Sequence, residues 1–232
     1  MNILGIETST KTGSVAVVSE NGVIAQYSLN IEVTHSERLM STIDRVLKDT
    51  GLAVSDLVGF AVAIGPGSFT GLRIGLATVK GLALATGNPV AAVPTLQALA
   101  WNLPYAAYPV CPLLDARKNE AYAALYRFHE KTLVQVLPET VIPIDRLAKW
   151  LSEKTVFTGE GSRIYRADIE KIFGERAVFA PQSAVLPSGA AVAEIGLNII
   201  KSGRQTELDS LAPLYIRRPE AEVAWEKRQK SR

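Results

Sequence analysis

The sequence predicts an α/β protein that consists of two lobes with related folds. Two observations lead to this prediction. Short runs of β-forming residues alternate with amphipathic helical segments, and the pattern of the first hundred residues returns more loosely in the second. With 47% hydrophobic and 21% charged residues, the 232-residue chain has enough apolar side chains for one large or two small cores, so it is expected to fold on its own.

The chain opens with three short β-rich runs, at residues 2–7, 13–19 and 23–31. The dipeptide Asn21-Gly22 favours a tight hairpin turn between the last two runs. We therefore expect an antiparallel meander. An amphipathic helix follows, because Thr34 and Glu37 form a capping box and Gly51 suits the C-terminal end of a helix.

A second helix, at residues 68–86, lies between two apolar strands and completes the first lobe. The first of these strands, at residues 57–64, is mostly apolar, which is typical of a strand covered on both faces. The second is shorter and lies at residues 90–93. The order of elements is three antiparallel strands followed by a helix, a strand, a helix and a strand. This is the ribonuclease-H-like order used by the actin-like ATPase (ASKHA) fold.

The second half of the chain repeats this order less regularly. Its first strand is expected to end at Asp115, as the first strand of the chain ends at Glu7. The further elements are strands at residues 121–127, 133–136 and 155–158 and helices at 144–151, 162–173 and 188–202. We predict a duplicated fold with an N-terminal lobe at residues 1–100, a smaller C-terminal lobe at 101–216 and a tail at 217–232, and a mixed five-stranded sheet in the N-terminal lobe.

Charge and cysteine content exclude several classes of function. A net charge of +2 gives no strong field that would recruit nucleic acid to the chain as a whole. Cys111 is the only cysteine, so neither an intrachain disulfide nor a thiolate metal cluster is expected. No leader-like segment opens the sequence and no apolar run reaches the roughly 18 residues of a membrane span, which predicts a cytoplasmic protein without membrane contact.

The stretch AIGPGSFTGLRIG, residues 63–75, looks like a phosphate-binding loop but matches neither nucleotide motif. A P-loop requires Gly-Lys followed by Ser or Thr, whereas Leu72 and Arg73 follow the glycine here. The dinucleotide motif fails because Thr70 stands at the position of its third glycine. Ser68 is better explained as a helix N-cap than as a nucleophile.

Three glycines lie inside the second helix, at Gly71, Gly75 and Gly81, and together they cost about 2 to 3 kcal/mol relative to alanine. Gly71 and Gly75 share one helix face with Thr78 and form a strip with little side-chain bulk. Such a strip allows another helix to approach closely. The approaching element belongs either to this chain or to a partner protein.

The turn Glu7-Thr8-Ser9-Thr10 is a second candidate for phosphate contact, because a hairpin at this position of the fold presents amides and hydroxyls; a plain hairpin turn is the alternative. Glu7 and Asp115, each closing the first strand of its lobe, could face one another as in an actin-like ATPase, although the fold also places carboxylates there without chemistry. His35 and His129 are far apart in sequence and no metal-binding motif is present. We predict no catalytic residue, metal or cofactor.

Five stretches together resemble the TsaB family, also called YeaZ: GIETSTKTGSVAV, THSERLMSTIDRVL, GPGSFTGLRIGLATVKGLA, LLDARKNEAYAALY and PLYIRRPEAE. The family comprises bacterial subunits of the machinery that makes threonylcarbamoyladenosine in tRNA. The resemblance implies a non-catalytic dimerisation and activation subunit. Such a subunit docks the related catalytic subunit TsaD for threonylcarbamoyl transfer to the tRNA adenosine beside the anticodon.

The resemblance also implies partners. TsaD carries a two-histidine metal motif after its fifth strand, and Thr95 and Leu99 occupy the corresponding positions here, where neither can replace imidazole. The expected partners are TsaD, the ATPase TsaE and tRNA through the complex, with a homodimer possible in isolation. The alternative function is a free-standing actin-fold ATPase or small-molecule kinase, which magnesium-dependent nucleotide turnover would favour.

In the family, the TsaD-binding surface is a bundle of two N-terminal-lobe helices from each subunit. By resemblance, Gly71, Gly75 and Thr78 would let the helix backbone approach the partner. The flanking contacts would be Phe69, Leu72, Arg73 and Leu76 on the second helix and Leu39, Ile43 and Leu47 on the first. Met40 and Val46 form a neighbouring stripe on the first helix. The sequence leaves open which of these two stripes faces the core.

Overall fold

The computed structural model describes residues 1–30, 35–130 and 132–217, and of residues 35 and 36 only the backbone. Within these ranges the first sheet has the strand order β3-β2-β1-β4-β5. β1 pairs antiparallel with β2 and parallel with β4, and β5 continues the parallel part. The strands are β1 (Asn2–Glu7), β2 (Thr12–Ser19), β3 (Gly22–Asn30), β4 (Gly59–Gly65) and β5 (Val90–Pro94).

The second sheet repeats this topology and confirms the duplicated ribonuclease-H-like fold. Its strands are β6 (Val110–Asp115), β7 (Glu120–His129), β8 (Thr132–Pro143), β9 (Thr155–Thr158) and β10 (Ala177–Phe179). They lie in the order β8-β7-β6-β9-β10, with β7 antiparallel to β6 and β9 parallel to it. β8 is longer than the expected residues 133–136 because Pro138 lies within a strand at the sheet edge, where a missing amide is tolerated.

Seven α-helices lie in the described ranges: α1 (His35–Thr50), α2 (Phe69–Thr86), α3 (Thr95–Trp101), α4 (Leu147–Trp150), α5 (Glu160–Ile164), α6 (Arg166–Phe173) and α7 (Gly189–Lys201). The predicted limits of α2 are confirmed: Ser68 Oγ accepts a hydrogen bond from the Gly71 amide, and Gly87 is left-handed at φ 74°. Thr34 of the expected capping box lies outside the described residues. None of these helices has the length and apolar character needed to cross a membrane.

Two helical layers enclose the first sheet. On one face, α1 and α2 form a core with alternate residues of β1, β2 and β4, such as Leu4 and Phe60. On the other face, α7 packs against Ile3 and Ala61. A helix from the second half of the chain therefore covers the first sheet. The lobe boundary at residue 100 stays a prediction. Helix α3, next to this boundary, contributes residues to the core beneath α7 and also to a core of the second sheet.

The structure differs from the sequence-based expectation at two places in the helices. No helix was predicted for α3, which has Pro94 at its N-cap and no side-chain cap and so lacks the usual start signal. The single helix expected at residues 162–173 is divided at Tyr165, whose backbone leaves helical geometry at φ −100° and ψ 20°. The Tyr165 hydroxyl donates a hydrogen bond to Asp115 Oδ1 at 2.5 Å, so the break directs this side chain toward the end of β6.

After α7 the chain returns across the first lobe as a strap, residues 211–217. The Leu214 amide donates to the Ile64 carbonyl at 2.7 Å, and the Tyr215 ring stacks on Phe69 at 5.0 Å between centroids. Arg73 Nε donates to the Tyr215 hydroxyl at 3.2 Å. Arg217, where the tail was expected to begin, is held by contacts to the second lobe, and residues 218–232 lie outside the described ranges.

Helix α2 lies directly on the turn between β1 and β2. Thr8 Oγ1 donates a hydrogen bond to the Gly71 carbonyl at 2.8 Å, and a Cβ atom on Gly75 would lie 2.4 Å from the same Thr8 oxygen. The strip at Gly71 and Gly75 is therefore occupied by this chain. This supports the intrachain alternative, and contact of the two glycines with a partner stays a prediction.

The matched glycines of α2 give a test of this packing. Gly75→Ala is expected to lower the free energy of unfolding by about 1–3 kcal/mol, because the new methyl group must displace Thr8. Gly81, which has no atom within 4 Å of an added Cβ, is the control. Gly81→Ala is expected to raise the same free energy by up to about 1 kcal/mol through helix propensity. Equal effects of both changes in urea unfolding would contradict the packing.

Candidate functional site

The turn after β1 is buried beneath the loop that leads into α2. Glu7 and Thr8 have no exposed surface, and Ser9 and Thr10 are also buried. A Cβ atom on Gly67 would lie 2.2 Å from the Ser9 carbonyl oxygen, and the Ser68 amide donates to that oxygen at 2.6 Å. Nucleotide contact by residues 7–10 stays a prediction, and it would require this loop to move.

Glu7 has an unusual environment for a carboxyl group. Its Oε1 accepts a hydrogen bond from the Ser9 amide at 2.5 Å, whereas its Oε2 has no hydrogen-bond partner among the described residues. Burial raises the pKa of Glu7 to about 7, and the neighbouring Ser9 opposes this rise. Ser9 Oγ and Thr95 Oγ1 are likewise buried without a partner of hydrogen-bonding geometry in the described ranges.

The equivalent carboxyl group of the second lobe, Asp115, is held differently. Its Oδ1 accepts hydrogen bonds from the Arg117 amide at 2.8 Å and from the Tyr165 hydroxyl at 2.5 Å. Burial raises the pKa of Glu160 nearby, Asp115 adds to the rise, and Lys11 of the first lobe opposes it. Lys11, Asp115 and Glu160 therefore form a polar cluster where the lobes meet, with charges that partly compensate one another.

The residues at the metal-motif positions do not form a metal centre. Thr95 and Leu99 are both fully buried, and neither offers a nitrogen ligand. Among the described residues, no three side chains of the types His, Cys, Asp and Glu converge. The side chain of His35, one of the two histidines of the sequence, is outside the described part of the chain.

Most of the predicted partner-contacting side chains point inward. Leu39, Ile43, Leu47, Leu72 and Leu76 are buried within this chain, and their contact with a partner stays a prediction. All of them except Leu72 belong to the core that α1 and α2 form with the first sheet. Phe69 and Thr78 are half-buried and Arg73 is exposed, although Phe69 and Arg73 also contact Tyr215 of the strap.

The outward face of α2 is mostly apolar in its second half, after the exposed Arg73 and beside the half-buried Lys80. It consists of Ala77, Gly81, Leu84 and Ala85, which recur at helical spacing and are exposed; we call it the α2 face. Leu84 is 75% exposed, and on α1 Met40 is 55% exposed. This face could not be predicted from the sequence because α2 is apolar nearly all round, so periodicity cannot distinguish its inward side.

The buried Glu7 predicts a pH dependence of stability. The folded chain holds the proton up to about pH 7, whereas the unfolded chain releases it near the ordinary value of 4.5. The contribution of Glu7 to stability therefore falls as the pH rises through this window and is constant above it. The free energy of unfolding of Glu7→Gln, relative to that of the wild type, is expected to rise by about 3 kcal/mol between pH 4.5 and pH 7.5. Urea unfolding at each pH measures this difference. A difference independent of pH would contradict the burial of an ionisable group.

Comparisons with known proteins agree with this architecture. The family model described as TsaD, tRNA N6-adenosine threonylcarbamoyltransferase, matches residues 23–225. The tRNA threonylcarbamoyladenosine biosynthesis protein TsaB of Bacillus subtilis is 33% identical, with 99% of this chain and 100% of that protein aligned.

Solved structures give the same result. YeaZ from Pseudomonas aeruginosa superposes with a TM-score of 0.79 at 27% identity, over 92% of this chain and 99% of that one. A ROK hexokinase from Thermus thermophilus has a TM-score of 0.50 at 12% identity over 88% and 100%, which shows that the fold is of the actin-like ATPase type. The chain, which shares its family model with the transferase TsaD, belongs to the TsaB (YeaZ) family of tRNA threonylcarbamoyladenosine biosynthesis proteins.

Proposed function

We propose that the chain is a non-catalytic, cytoplasmic subunit that docks the catalytic subunit TsaD and enables threonylcarbamoyl transfer to the tRNA adenosine beside the anticodon. The observation that carries the proposal is the exposed apolar α2 face. Helices of soluble proteins normally turn charged residues to water, and a contiguous apolar face marks an interaction site. TsaE and tRNA join the complex through TsaD, and the same face supports a homodimer in isolation.

The α2 face fits a helical partner of related fold. Ala77, Gly81 and Ala85 are small and allow a second helix backbone to approach closely, while Leu84 supplies an apolar side chain that can enter a groove. Full burial of such a leucine contributes about 1.5–3 kcal/mol, which is comparable to an interface hot spot. Met40 on the neighbouring helix offers a further adaptable apolar contact.

Two features of the described residues support a role without chemistry of its own. Thr95 and Leu99 stand at the positions that TsaD fills with metal-binding histidines. The turn at residues 7–10, which presents phosphate-binding groups in related folds, lies beneath the loop before α2. A free-standing ATPase or kinase would need that turn to be open.

Substitution of Leu84 tests the interface. Leu84→Glu is expected to weaken association with TsaD at least about tenfold, because an anchor is lost and a charge must be desolvated. Sedimentation velocity of the mixed proteins measures this. Ile164→Glu on α5 is the matched control, since Ile164 is also a large exposed apolar residue, and it should bind like wild type. Wild-type association of a folded Leu84→Glu variant would refute the proposed surface.

Reconstitution tests the function itself. Modification of tRNA by TsaD, TsaE and the carbamoyl-adenylate synthase is expected to depend on this chain, because TsaD is proposed to transfer the group only when this chain is docked to it. Incorporation of labelled threonine into tRNA is the readout. The purified chain alone should show no magnesium-dependent nucleotide turnover. Turnover by the chain, together with modification that does not require it, would favour the alternative of a free-standing enzyme.

A further inference from the structure

The turn between β6 and β7 has an unusual backbone. Arg117, Lys118 and Asn119 all have left-handed φ values, of 62°, 54° and 59°, and none of them is glycine. Each such residue costs about 1–2 kcal/mol relative to the ordinary conformation, with asparagine the best tolerated of the three. Three in succession persist only where the surrounding structure fixes them.

Hydrogen bonds from within the second lobe hold this turn. The Ala116 amide donates to the Glu120 carbonyl at 2.9 Å, and the Glu120 amide donates to the Arg117 carbonyl at 3.0 Å. The Arg117 amide donates to Asp115 Oδ1 at 2.8 Å. The backbone of the turn is thereby fixed without any contribution from the side chain of Arg117.

The strap brings a second cation to the same turn. Arg217 Nη1 donates to the Ala116 carbonyl at 2.8 Å, and its guanidinium forms an ion pair with Glu120. Burial raises the pKa of Tyr122, and the charges of Arg217 and Arg117 oppose this rise. Arg217 is paired with Glu120, whereas the carboxylate of Asp115 accepts the backbone amide of Arg117 and not its guanidinium.

Arg117 is fully available to an external ligand. Its side chain is exposed, and its guanidinium forms no hydrogen bond or ion pair with the described residues. The guanidinium of Arg117 therefore makes no polar contact within the described residues that would offset the cost of this backbone conformation. Strain of this kind is typical of functional positions, where the gain comes from a ligand.

We propose that the β6–β7 turn binds a phosphate group of the RNA backbone through Arg117, while Arg217 holds the turn through Ala116 and Glu120. This inference rests on the proposed function, which brings tRNA to the complex. A guanidinium matches a phosphate in shape and charge and can donate two hydrogen bonds to it. The contact positions the RNA without reading its sequence. It also requires only local charge, which agrees with the net charge of +2 of the whole chain.

Arg117→Gly separates this role from a structural one. Glycine accepts the left-handed conformation, so the variant should unfold at a higher temperature than wild type while lacking the guanidinium. In the complex with TsaD, its affinity for unmodified tRNA is expected to fall about tenfold, as for loss of one charged hydrogen-bonding group. The slope of the logarithm of affinity against the logarithm of salt concentration should fall by about one.

Two further variants serve as controls. Lys171→Ala removes one positive charge from the exposed surface of α6 and should change neither affinity nor slope. Arg117→Lys keeps the charge and should retain most of the salt dependence. Inorganic phosphate and ATP, added as competitors, distinguish a small phosphate ligand from RNA. Displacement of tRNA by micromolar amounts of either would overturn the assignment to RNA.

The result that contradicts the inference is wild-type affinity and slope in Arg117→Gly, or an absence of salt-dependent tRNA binding in the wild-type complex. Sedimentation of the same samples reports whether the complex with TsaD has formed. Failure to form it refutes the proposed function. An intact complex with unchanged tRNA affinity refutes only the role of the turn.

Discussion

The close approach of α2 to the turn after β1 is the constraint on which the remaining architecture depends. Thr8 donates to the Gly71 carbonyl, and Gly75 leaves no room for a side chain at this contact. The contact fixes the rotation of α2 about its axis. Gly71, Leu72, Gly75 and Leu76 therefore face inward, and Ala77, Gly81, Leu84 and Ala85 face outward. The cost of helix glycine is offset by packing inside the chain.

The same contact fills a region that related folds use for phosphate. With α2 in place, the loop at residues 65–68 covers the turn, and Glu7 is buried with one oxygen that has no hydrogen-bond partner among the described residues. A buried carboxyl group without a neighbouring cation prefers its neutral form. Burial raises the pKa of Glu7 to about 7, so the group that closes the first strand is only partly ionised near neutral pH. Asp115, which closes the first strand of the second lobe, accepts two hydrogen bonds.

Much of the fold could be predicted from the sequence because strong local signals mark it. The Asn21-Gly22 hairpin, the cap at Ser68 and the terminating Gly87 each fix an element end. The elements that escaped prediction, α3 and β10, are short and are held by contacts with distant parts of the chain. The glycine strip was correctly noticed, but its direction depends on Thr8, sixty-three residues before Gly71, and local sequence carries no information on that contact.

The two proposed surfaces lie on different lobes and would serve different partners: the α2 face a protein helix, and the β6–β7 turn a phosphate group. The strap connects them physically, since Tyr215 packs on the start of α2 and Arg217 on the turn. The central claim is that the outward side of α2, and not its glycine strip, receives the catalytic subunit. Hydrogen–deuterium exchange of this chain with and without TsaD tests that claim most directly. Slower exchange in peptides that cover residues 77–86, with no change at residues 5–10, is the result expected from this account, and the reverse pattern would contradict it.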